Sequence, residues 1–258
     1  MAKTFYYDSV GLLESTIAEG SVTGGSGNVS IFSSGDSIVN PEATIDQSVL
    51  VAPTGWGQNE IAQYTLSSAK AVDFLAVYFN AEETDDIDFE FDSANSGISD
   101  GEAVGATDTF STGWTVFEFT EQTKQYWRII SKSAGGITGL TEIIFGKKLA
   151  FEINPDIGIS EIEEFGTDVN SSIGGVEYAI KRHEPKSTFS MNFSNISQAF
   201  KNNLQSMEAQ VQNYKKFIYS EDGTSGTFHY VRLESPIQFE EVAYQRYSAS
   251  FTLREQLS

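Results

Sequence analysis

The sequence predicts a mainly β protein built from two modules, and three observations carry that expectation. Apolar and polar residues alternate with period two along much of the chain, the pattern of half-buried strands. Aromatic residues make up 13% of the composition, with 19 Phe and 11 Tyr, which favours sheets over helical bundles. A single segment, residues 195–214, changes to helical spacing.

The pivot lies at residues 125–149. Tyr126, Arg128, Ile130 and Lys132 fall on one side of an alternating run, with Trp127, Ile129 and Ser131 on the other. Ala134-Gly135-Gly136 interrupts it, and Leu140, Ile143, Ile144 and Phe145 form a second apolar run. The expectation is a hairpin closing a first module, residues 1–148, with a second module over 149–258. With 258 residues there is enough chain for two cores. Charge divides along similar lines: residues 1–150 hold 21 acidic against 7 basic side chains, and residues 151–258 hold 15 against 9.

In order, residues 4–7 read as a short strand, and the Gly/Ser-rich segment 20–37 reads as a loop or exposed arm. Residues 61–66 form a strand. Residues 71–80, AVDFLAVYFN, are a nearly continuous apolar run that suits a strand buried on both faces. In residues 86–92, Asp86, Asp88, Glu90 and Asp92 alternate with Ile87, Phe89 and Phe91. Residues 115–119 give another alternating strand. Short strands joined by polar turns, with no helix, predict a β-sandwich of jelly-roll type.

Beyond Asn154-Pro155-Asp156, residues 157–175 read as a long polar loop, and 176–183 with 188–194 as a hairpin. Ile196, Phe200, Leu204, Met207, Val211 and Tyr214 then recur three or four residues apart, the stripe of an amphipathic helix. Asn195 with Gln198 fits a capping box at its start. Strands follow at 216–219, 227–233, 237–242 and 245–254, the last with Tyr247, Ala249, Phe251 and Leu253 on one face.

Two resemblances follow from these residues. Asn-Pro-Glu-Ala-Thr-Ile-Asp (40–46), Trp56, the run at 71–79 and Tyr-Trp-Arg-Ile (126–129), followed by Gly139 to Gly146, resemble the discoidin or galactose-binding-like sandwich family. The cysteine pair common in its secreted members is missing here. The Tyr-x-x-x-Phe-x-Leu-x-Glu ending (247–255) and a lone helix among strands resemble the tail-tube and distal-tail fold of tailed bacteriophages. That second resemblance implies a ring, hexameric in the family, in which a β-sandwich with one α-helix contacts tube, hub and fibres. In the common distal-tail layout the ring-forming domain comes first; here the sandwich precedes it.

Composition excludes several functions. A net charge of −20 repels phosphate backbones, so no nucleic-acid partner is expected. The absence of cysteine removes disulfides and thiolate metal sites. No apolar run approaches the ~20 residues of a membrane-spanning helix, so no membrane insertion is expected. Met1-Ala-Lys-Thr-Phe lacks a signal peptide's apolar core, so export by that route is not expected. Gly24-Gly25-Ser26-Gly27 lacks the Lys-Ser/Thr of a phosphate loop, and no Gly-x-Ser-x-Gly elbow accompanies His183 or His229. The expectation is therefore a protein that is not an enzyme.

Two sites remain as candidates. Seven carboxylates crowd residues 82–92, and Asp86, Asp88, Glu90 and Asp92 share a strand face. They offer either a Ca²⁺ site or a solvated edge that blocks strand-to-strand aggregation. Trp56, between two glycines, is the candidate for stacking on a glycan. The leading expectation is a structural virion protein at the distal tail, made in the host cytoplasm and assembled with itself and other tail proteins. The alternative is a carbohydrate-binding protein that recognises a host-surface glycan through the first module.

Overall fold

Strand β4, Glu60–Phe79, is the spine of the first half of the protein. The computed structural model describes residues 3–12, 15–24, 30–34, 44–45, 56–95, 98–132, 135–156, 160–164, 166–183, 185–225 and 227–256. By its contacts the chain divides into two compact units: Phe5–Leu149, joined by Thr224–Gly226, and Ala150–Gly223 with Thr227–Leu257, joined by Met1–Thr4.

In the first unit β4 unites the two apolar segments that the sequence presents separately. Between them, Ser67, Ser68 and Ala69 are exposed, and the register against β7, Gly113–Ser131, slips between Thr65 and Lys70. Such a bulge bends a strand and lets it change layers. The first half of β4 pairs with Tyr126–Ile130 of β7 on one side and with β2, Thr16–Gly24, on the other. Its second half pairs with the first half of β7 and with β8, Leu140–Ala150. Strand order here is β6-β5-β7-β4-β8-β1, with β1 at Thr4–Tyr7, β5 at Glu83–Asp92 and β6 at Gly101–Phe110. Strand β3, Ser30–Ser34, pairs with β2.

Aromatic rings fill the sandwich. The Phe145 ring of β8 lies 5.7 Å from Tyr64, 5.3 Å from Phe89 and 5.8 Å from Trp127 between centroids, all four side chains being fully buried. Tilted and edge contacts of this kind add about 0.5–1.5 kcal/mol each beyond the area they bury.

Two expectations need correction in this unit. Residues 125–131 and 140–145 do not form a hairpin, because β4 lies between β7 and β8 and pairs with both. The continuous apolar run of β4 demands a central position, and that splits the pair. The Gly/Ser segment 20–37 supplies part of β2 and all of β3: backbone pairing needs no large side chains. Residues 25–29 and 35–43, with most of Asn-Pro-Glu-Ala-Thr-Ile-Asp, lie outside the described residues.

The second unit is an antiparallel sheet in the order β13-β14-β16-β12-β9, with β15 beside β16. Its strands are β9 Ser160–Glu164, β12 Lys186–Ser197, β13 Phe217–Ser220, β14 Phe228–Leu233, β15 Gln238–Ala243 and β16 Arg246–Glu255. Helix α1, Gln198–Val211, buries Phe200, Leu204, Met207 and Val211. Ring contacts join Phe200 to Phe193 of β12 and to Phe151.

The helix begins later than the capping box suggests. Strand β12 runs through Ser197, whose Oγ accepts from Phe200 N at 3.1 Å, so Ser197 is the N-cap and Asn195 belongs to the strand. Tyr214 falls beyond the helix and is 57% exposed. The long loop at 157–175 and the following hairpin are also corrected. Strand β10, Thr167–Ser171, pairs with β11, Glu177–Lys181, as a separate two-stranded sheet. Outside it, β9 pairs with β12. Gly175, at φ 77°, sits in the β10–β11 turn, which is why the Gly-rich stretch reads as a loop.

Candidate functional site

Trp56 is not an exposed platform. It is 3% exposed, and its Nε1 donates to Glu60 O at 2.9 Å. Its own carbonyl accepts from Ile137 N at 2.8 Å. Gly136, at φ 75°, lets the 135–139 turn lie against it, since a Cβ there would stand 2.2 Å from that carbonyl oxygen. The two glycines flanking Trp56 suggested exposure; the turn at the distant Gly136 lies against it instead. Trp127 is fully buried and Trp114 half-buried.

The acids of β5 face β7, whose register sets Glu90 opposite Arg128. Arg128 is fully buried; its Nη2 donates to Asp92 Oδ2 at 3.1 Å and its Nε to Gln63 Oε1 at 2.8 Å. Lys132 stands 3.0 Å from Asp88 Oδ2. Burial lowers the Arg128 pKa, and the carboxylates of Asp92 and Glu90 oppose that. Arg128 and Lys132 therefore supply the positive charge expected from a cation at Asp88, Glu90 and Asp92. The Asp86 side chain lies outside the described residues. Among the described residues no group of three or more His, Asp or Glu could hold a metal ion. Alternation showed that the acids share a face; it did not show that β7 lays its cations along that face.

Further along, Asp100 accepts from Lys124 Nζ at 2.7 Å and from Ser93 N at 2.9 Å. Lys124 and Ser93 hold its carboxyl below the usual range. His229 lies on the second unit's sheet with Nδ1 3.2 Å from Glu255 Oε1. That bond, with Ser187 N donating at 3.0 Å, lowers the Glu255 pKa despite partial burial.

Two further surfaces stand out. The first is at residues 113–118 of β7, where β4 pairs on one side and β5 begins pairing only at Tyr126. A groove of about 510 Å³ there is lined in part by Val104, Gly105, Phe117 and Glu118. Tyr6 Oη donates to Glu118 Oε1 at 2.8 Å, and Lys148 binds the other carboxylate oxygen. The second is the β10–β11 hairpin, exposed along both strands. Val176, Tyr178 and Ile180 share one face, 54%, 59% and 51% exposed, and Ile173 projects fully from the turn. Across the unit, Val242 and Tyr244 at the β15–β16 turn are 51% and 85% exposed.

Neither a protein-family model nor a curated relative matches the sequence. Solved structures resemble part of it. The CBM32 of AlyQ, in complex with 4,5-unsaturated mannuronic acid, is 19% identical over 57% of this chain and 98% of its own, with a TM-score of 0.38. Chitosan-binding module 1 of a chitosanase/glucanase from Paenibacillus sp. IK-5 is 16% identical over 55% of this chain and 100% of its own, with a TM-score of 0.37. A truncated AlyQ with CBM32 and alginate lyase domains is 14% identical and covers 83% of this chain and 56% of its own, with a TM-score of 0.38. None of these three is a tail protein. At such identities and TM-scores the fold assignment rests on the strand pairing and the core described above.

Proposed function

We propose that this protein works by binding and assembly, with no chemical step, and that residues 150–257 join copies of the chain while residues 5–149 are carried as a recognition module. The exposed β10–β11 hairpin carries this reading. A lone two-stranded sheet in water is marginal, and this one keeps an apolar face more than half exposed. Burial against a partner relieves both problems. A side-by-side ring at the distal tail of a bacteriophage, touching tube, hub or fibres, is the form that the resemblance of residues 149–258 implies, and the virion is then where the protein resides. Multi-angle light scattering at micromolar concentration tests it, with a discrete oligomer expected. A 28.3 kDa monomer at every concentration removes the reading.

Saccharide recognition by the sandwich is the second reading, and the open groove at β7 favours it. A carboxylate fixed by Tyr6 and Lys148 at the edge of this groove can accept from sugar hydroxyls. The carbohydrate-binding modules named above are similar in strand arrangement only. A glycan array should show hits that Glu118→Gln abolishes; an array without hits ends this reading and leaves assembly untouched.

A further inference from the structure

Residues 115–118 of β7 pair one for one with residues 77–74 of β4. On their other edge no described strand pairs with them, since β5 reaches β7 only at Tyr126. That leaves roughly 13 Å of strand, at ~3.3 Å per residue, with the N–H and C=O of every second residue turned outward. Strand edges are commonly guarded by Lys, Pro or a bulge. This stretch holds no Lys or Pro, and its register runs without a slip. Its one charge, Glu118, is matched by Lys148.

We propose that this edge binds an extended, basic segment of a partner polypeptide, which adds to β7 as one further strand. The groove favours a single strand over a folded body. Ala103, Val104 and Gly105 of β6 form its opposite wall, so the edge is recessed: a lone strand fits beside it and the edge of a second sheet does not. Charge favours a basic segment. A Cβ on Gly105 would collide with Glu102 Oε1, which places that carboxylate at the β6 wall, and Glu118 stands on β7. Residues 1–150 as a whole carry 21 acidic side chains against 7 basic ones, a field that draws in a cationic segment and repels an acidic one. Alternation along β7 sets the pattern of the added strand. Side chains on the Glu118 face meet a carboxylate, and those on the Phe117 face meet the rim of the core, against which Phe117 packs.

Such a partner rests on the reading of residues 5–149 as a recognition module and names what that module takes. Fluorescence anisotropy of a labelled Val-Lys-Val-Lys-Val-amide peptide with the full chain tests it. Two further forms of the peptide carry N-methyl groups on the backbone nitrogens of either the valines or the lysines. An added strand turns one set of N–H groups to β7 and the other to solvent. One methylated form should therefore bind like the parent, and the other should bind about tenfold more weakly or worse. Glu102→Gln with Glu118→Gln should weaken the parent by about tenfold, since two ion pairs are lost while the amide oxygens still accept. Hydrogen exchange at residues 115–118 should slow when the parent peptide is bound. Equal binding of both methylated forms shows adhesion by charge alone and overturns the strand. A parent peptide that does not bind overturns it too, and glycan hits lost on Glu118→Gln would then give the groove to saccharides. Assembly through residues 150–257, read by light scattering, stands or falls apart from all of these.

Discussion

Arg128 is fully buried among carboxylates, so its removal should cost more than its own bonds contribute. Arg128→Met leaves Asp92 and Glu90 buried without their cation, a loss of about 3–5 kcal/mol. Urea melts at neutral pH measure it, and a change below about 1 kcal/mol would show the carboxylates already neutralised otherwise. With Arg128 and Lys132 paired to these acids, a chelator should leave the melting temperature unchanged; a fall on adding EDTA would restore the cation site. Glu255 makes a contribution that depends on pH. His229 and Ser187 depress its pKa in the folded state, so its stabilisation is full above the ordinary value of 4.5 and fades as pH falls through the lower folded value. The melting difference between wild type and Glu255→Gln should accordingly shrink in acid, and a gap that stays constant would contradict this. Trp127 could be read as core because it alternates with polar neighbours. Arg128 reads as solvated by the same rule, since period-two spacing separates faces and does not say whether the second face is also covered.

Elements were legible where one physical cause dominated and obscure where two competed. The α1 stripe was readable from spacing, yet its start was not: Asn195 and Ser197 are both good caps, and pairing of β12 with Arg246 and Tyr247 carries the strand to Ser197. Glu152 reinforces that choice by accepting from Ser197 N and Oγ at 2.6 Å. Ser197→Ala should therefore destabilise the second unit by about 0.5–2 kcal/mol, read by thermal melting, whereas Asn195→Ala should change little. Strand β10 was hidden because its polar sequence buries nothing, while β11 was legible from the alternation of Val176, Tyr178 and Ile180 although its partner was not. Of the surfaces at issue, the sequence therefore showed the acidic face of β5 but not the β7 groove, whose existence depends on where β5 stops pairing. Gly136 belongs at this scale too. Its φ of 75° and its closeness to the Trp56 carbonyl mean that Gly136→Ala should lower the melting temperature of the first unit more than Gly135→Ala, where an added Cβ meets nothing.

At the scale of the whole molecule, Lys3 and Thr4 belong to the same compact unit as Ala150–Gly223. Lys3 O accepts from Phe151 N at 2.9 Å, and Lys3 Nζ donates to Tyr219 Oη at 2.9 Å while lying 3.7 Å from Glu221. The shift in charge balance between the halves points to a boundary near residue 149, but the return of Lys3 and Thr4 to the unit of Ala150–Gly223 is a long-range pairing that no local pattern encodes. Deleting residues 1–4 should therefore weaken the second unit selectively. Hydrogen exchange ought to speed up at Phe151 and along β13, Phe217–Ser220, by an amount corresponding to the loss of a few hydrogen bonds at about 1 kcal/mol each. Amides of β4 beside β7 should keep their protection. If protection falls equally in β4 and β13, the two units unfold as one cooperative body, and a recognition module carried on a separately stable assembling unit is no longer tenable.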